Sequence, residues 1–131
     1  MPLHERPTQV PDPWGHISPV EFSLAARGID YLAMDPTRDR ENPARVADFG
    51  ILYMFSRFGS GRTDRGPSLD VNNPVAVSDT FAAVARVLTV AQEHPIPGVN
   101  PALVTDLRSI AADRSADAHQ ILQRRASVPT L

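Results

Sequence analysis

"HISPVEF", residues 16–22, decides how this chain is read, because it spells out the start of a helix in several ways at once. Ser18 carries a hydroxyl that can accept from the first free amides. Pro19 behind it has no amide to satisfy and already holds the helical φ. Glu21, three residues after Ser18, completes a reciprocal capping box, and Ile17 can pack on Phe22 as a hydrophobic staple. Phe22, Ala25, Ile29, Leu32 and Ala33 then continue at helical spacing. Gly28 sits inside this stripe, where it is expected to weaken the helix by roughly 1 kcal/mol relative to alanine.

Outward from this start, the same cap-then-proline pair recurs at Asn42-Pro43, Asn73-Pro74 and Asn100-Pro101. The 13 prolines leave four long proline-free windows, 20–35, 44–66, 75–94 and 102–128, and one such pair opens each. The second, "PARVADFGILYMFSRFG" (43–59), is apolar nearly all round from Val46 to Phe58. That pattern predicts a central helix buried on most sides, with Gly50 letting a neighbour approach. The third carries Val77, Phe81, Val84, Leu88 and Ala91 on one face, and starts either at Pro74 or, if "PVAVSD" is extended, at Ser78. The fourth follows "HPIPGVN" (94–100), where Pro97-Gly98 suits a type II turn and Val99 can staple to Val104. Leu103, Leu107, Ile110, Ile121 and Leu122 mark its apolar side, and Ser115 in a polar middle predicts a kink or restart.

No stretch alternates apolar and polar residues with β-branched enrichment. The expectation is an all-α protein, a small bundle of about four helices over residues 18–128. The short link between the last two helices should make them antiparallel neighbours. An extended proline-rich arm, residues 1–17, precedes the bundle.

A chain of 131 residues suits one domain. A net charge of −2 gives no electrostatic case for nucleic acid or an anionic membrane as the main partner. There is no cysteine, and all 13 basic residues are arginine, which removes thiol chemistry, Schiff-base lysines and Gly-Lys-Ser/Thr phosphate loops. The N-terminus lacks the pattern of a secretory signal, and the longest apolar run, "FAAVARVLTVA" (81–91), is short for a bilayer. A soluble protein, cytoplasmic or virion-associated, is expected. The histidines at 4, 16, 94 and 119 and the glutamates at 5, 21, 41 and 93 form no metal-binding spacing. Asp106, Asp113 and Asp117 share a face of the fourth helix and read as a solvated stripe. No metal, cofactor or catalytic set is expected.

The stretch with most site character is "FGSGRTDRGPSLD" (58–70). Within it "GRTDRG" (61–66) is similar to the Gly-Arg-Thr-Asp-x-Gly signature of the TruA family of tRNA pseudouridine synthases. That resemblance implies Asp64 as nucleophile with Arg62 beside it. It covers six residues, and the family's Val-His-Ala continuation is replaced by "PSL". From the residues themselves, Gly59, Gly61, Arg62 and Arg65 could form an anion nest. Alternatively, Gly59 or Gly61 is the left-handed residue that ends the second helix. The second reading is favoured, because phosphate loops lead into a helix whereas these glycines follow one.

The arm supplies the other candidates. Residues 1–17 hold four prolines together with Val10, Trp14 and Ile17, apolar side chains that seek burial either against the bundle or in a partner. The partner alternative is narrowly preferred. The expected function is therefore a non-enzymatic structural or accessory subunit, a virion component or a helper of a multi-subunit complex. It would act by contact with another protein or with its own copies. The alternatives are a small helical enzyme or anion-binding protein using residues 59–66, and a helical nucleic-acid-binding regulator using Arg124-Arg125.

Overall fold

The Ser18 capping box forms in both directions. Ser18 Oγ accepts from the Glu21 amide at 3.1 Å, and Glu21 Oε1 accepts from the Ser18 amide at 3.1 Å. The computed structural model, which describes residues 13–34, 43–62, 64 and 66–127, starts its first helix there. Four helices follow in order: α1 (Pro19–Ala33), α2 (Pro43–Gly59), α3 (Pro74–Glu93) and α4 (Pro101–Ser127). Each begins at one of the prolines, and the described residues contain no strand. The protein is an all-α bundle.

Asn73 caps α3, its side-chain oxygen accepting from Val75 and Ala76, so the helix starts at Pro74 and Ser78 lies inside it. Asn100 accepts from the Ala102 amide at 2.9 Å in the same way. Asn42 lies outside the described residues. α4 runs unbroken through Ser115, whose hydroxyl donates to the Ser78 carbonyl at 3.1 Å. The expected restart is absent, and that serine finds its acceptor on α3. Gln92 to Thr105, Arg108 to Thr89 and Ser115 to Ser78 register the last two helices as antiparallel neighbours.

The core centres on α3. Its Phe81, Val84, Val87 and Leu88 are sealed against Ile29 and Leu32 of α1 and Leu107 of α4, with Leu52 reaching in from α2. α3 packs on both α1 and α4, whereas α2 packs mainly on α1. The run 81–91 belongs to a 20-residue helix with a mean hydropathy of 1.4 over its most apolar window. By length and composition alone it could cross a membrane; here those side chains build the core.

The expectations for α2 and for Gly50 are overturned as well. α2 is peripheral, and an apolar pattern on all sides here means two apolar faces, one of them turned outward. Among the described residues no atom lies within 4 Å of where a Gly50 Cβ would stand, so none of the other three helices approaches there. The close approach occurs at Gly28, where a Cβ would lie 2.5 Å from Val84 Cγ2 and 2.9 Å from Thr80 Cγ2. The residue that weakens α1 locally is the one that lets α3 press against it.

The segment before α1 is not wholly extended either. Residues 13–16 turn, the Ile17 amide bonds to the Trp14 carbonyl at 3.1 Å, and Ile17 is buried in the core. The Trp14 ring lies edge-on to Phe55 at 4.7 Å between centroids and tilted on Phe22 at 6.1 Å. Arg86 clasps the junction by donating to the His16 carbonyl and pairing with Glu21 at 2.9 Å.

Candidate functional site

The glycine loop is built by the end of α2. Ser60 donates its amide to the Ser56 and Arg57 carbonyls, Gly61 donates to Phe58, and Arg62 donates to Ser60 Oγ. Ser60 Oγ in turn donates to the Arg57 carbonyl. Gly61, at φ +72°, is the left-handed residue, while Gly59 is still helical. Gly59 is constrained for another reason, since a Cβ there would stand 2.6 Å from the Phe22 ring. The amides of residues 60–62 are thus spent within the chain, and a nest needs them free and convergent.

Arg62 and Asp64 meet each other. The guanidinium grips the carboxylate through two bonds, Nε to Oδ1 at 3.1 Å and Nη2 to Oδ2 at 2.8 Å, in the open. That grip, a hydrogen bond reinforced by opposite charge, holds the Asp64 carboxyl below its usual range and raises the Arg62 guanidinium. Asp64 is exposed, and among the described residues no buried polar pocket of the kind that activates a nucleophile surrounds it. Arg65 lies outside the described residues. The arrangement ends a helix and ties off the loop behind it.

Of the three arm candidates, Ile17 and Trp14 spend their apolar surface inside the chain, so the fold-back alternative describes residues 13–17. Val10 lies outside the described residues. Among the described residues no group of histidines and carboxylates is placed to hold a metal ion. Asp106 of the acidic stripe pairs with Arg45 of α2 at 3.0 Å, linking α2 to α4. A groove of about 420 Å³ opens between Val71, Pro74 and Val77 and the Arg114–Arg125 side of α4. Arg114 stands over the Tyr31 and Phe81 rings, with its guanidinium carbon 5.8 and 5.6 Å from their centroids.

The feature that sequence reasoning missed is the outward face of α2. Phe49, Leu52, Ser56 and Ser60 form its inner stripe. On the opposite side Ala47, Gly50, Ile51, Met54 and Phe58 form a second stripe at helical spacing, with Val46 at its edge. Phe58 is 73% exposed, Val46 54%, Met54 40% and Ile51 37%. None of these six positions is charged, and the helix is anchored from behind: Arg45 holds Asp106, and Asp48 accepts from the Asn100 amide at 3.1 Å. Two interleaved apolar stripes in 43–59 were the available signal.

No protein-family model matches this chain. The curated proteins and the solved structures give no match either.

Proposed function

We propose that the protein is a non-enzymatic structural or accessory subunit that works by protein–protein contact, and that the contact is made by the outward face of α2. The single observation behind this reading is the uncharged strip Val46–Phe58, with Phe58 73% exposed on a helix already packed on its other side. Scattered exposed apolar residues are ordinary, whereas a contiguous strip along one helix is a docking surface for another apolar face. Phe and Met are enriched at such contacts because they contribute large, adaptable surfaces. The enzyme alternative is disfavoured because the Arg62–Asp64 pair neutralises itself in the open and the loop amides are occupied.

The test compares the proteins that co-purify, at native expression level, with the wild type, with Phe58→Asp and with Gln123→Glu, which alters the exposed face of α4. Loss of a partner or of self-association with Phe58→Asp alone supports the reading. Retention of every interaction by Phe58→Asp refutes it.

A further inference from the structure

The groove between the start of α3 and the C-terminal half of α4 carries a pattern of its own. Arg114, Ala118, Ile121 and Arg125 follow one another at steps of four, three and four residues, so they stand in one line along α4. Val71 and Val77 face that line from the other wall and complete an apolar floor. The groove therefore reads cation, apolar, apolar, cation, with the two arginine backbones about 16 Å apart. Stacking over the Tyr31 and Phe81 rings holds the half-buried Arg114 in place at one end. Arg125 stands exposed at the other end. Asp117 is the one carboxylate among the lining residues, so the groove is net positive on a chain whose total charge is −2.

Shape and charge together narrow the occupant. Val71 is 50% exposed and Ile121 38%, so the groove lies open along its length. Sites for small molecules enclose most of their ligand's surface, which an open groove does not do. A polypeptide segment needs only one of its faces covered, with alternate side chains seated and the rest in solvent. A nucleic-acid backbone is disfavoured by the apolar floor and by Asp117 between the two arginines. We infer that the groove binds a segment of a partner protein whose apolar side chains are flanked by carboxylates. The apolar side chains lie between Val71, Val77 and Ile121, and the carboxylates meet Arg114 and Arg125. In an extended segment the two carboxylates then stand about five residues apart. This contact shares no residue with the α2 face and does not depend on it.

A random dodecapeptide library displayed on phage, panned on the full chain with the Arg125→Glu chain as counter-selector, reads the recognition. The expected result is enrichment of sequences with apolar residues between two acidic ones. A synthetic peptide of the enriched sequence, followed by fluorescence anisotropy, should bind Arg125→Glu roughly fivefold or more weakly than the wild type, with unchanged circular dichroism. Replacing the peptide's acidic residue with lysine should restore binding to Arg125→Glu. Phe58→Asp should bind the peptide as the wild type does. No enrichment over the counter-selection overturns the inference, as does enrichment of peptides without acidic residues. Loss of the peptide from Phe58→Asp also overturns it, because that places the peptide on the α2 face. The α2 reading itself fails only if Phe58→Asp leaves every co-purifying protein in place, so the two are judged separately.

Discussion

Replacing Gly28 with alanine puts two physical effects in direct opposition. In an isolated helix the change stabilises by about 1 kcal/mol, because glycine loses more backbone freedom and alanine is the best helix former. In this bundle the new methyl would stand 2.5 Å from Val84 Cγ2 and 2.9 Å from Thr80 Cγ2. Both neighbours are β-branched, sealed from solvent and held in narrow rotamer wells, so neither can swing aside. The response left is for α1 and α3 to separate, and overpacking of this kind costs about 1–3 kcal/mol or more. Two clashes against stiff side chains place the cost at the upper end, and the net expectation is a loss of about 1–2 kcal/mol. For a chain of this size that lowers the melting temperature by roughly 3–10 °C. Thermal unfolding followed by circular dichroism at 222 nm is the assay. Gly50→Ala is the internal control: with open space at that position and no φ constraint, it should gain about 0.5–1 kcal/mol. Val84→Ala should cost less in the Gly28→Ala background than alone, since it makes room for the methyl. A Gly28→Ala protein that melts at or above the wild type would refute the α1–α3 contact.

Three further outcomes follow from particular groups. Thr80 Oγ1 is buried and finds no hydrogen-bond partner among the described residues, so Thr80→Val, which keeps the shape and removes the hydroxyl, should stabilise by about 1 kcal/mol in urea unfolding; a loss of stability would show a hidden partner. Trp14→Ala should destabilise by about 1–2 kcal/mol, because the half-buried indole packs on Phe22 and Phe55; an unchanged melting temperature would mean that the ring stack is not formed in solution. Asp64, held by Arg62, should titrate below the ordinary aspartate range by NMR, and Arg62→Gln should move it back up. Because the folded value is depressed, the pair's contribution is present above that range and lost as pH falls through the lowered value; a normal midpoint would show that the pair is open in solution.

The helices were legible because their starts are written locally. Ser18, Asn73 and Asn100 act on amides two or three residues away, so no tertiary information is needed to read them. The antiparallel α3–α4 pair was legible for a similar reason, since a short link leaves few other geometries. The role of α2 was not. A helix apolar on all sides satisfies the pattern of a central element and of a two-faced peripheral one equally well, and only the packing partners of each stripe tell them apart. Gly28 and Gly50 exchanged roles for the same reason, because the value of a missing Cβ depends on what stands opposite. The loop at 58–70 drew attention through its composition, but glycines and arginines there serve the ordinary needs of a helix end: a left-handed Gly61, a Gly59 packed flat under Phe22, and an Arg62 closed on Asp64. Trp14 and Ile17 promised a contact that, for residues 13–17, is made at home.

The central claim is that the outward face of α2 is covered when the protein works. Hydroxyl-radical footprinting reads this directly, because Met54 lies in the middle of the strip and Met34, exposed at the end of α1, serves as the reference. In cells at native expression the oxidation of Met54, relative to Met34, should fall several-fold below its value in the purified protein at about 1 µM. Equal labelling of Met54 in the two settings would contradict the account.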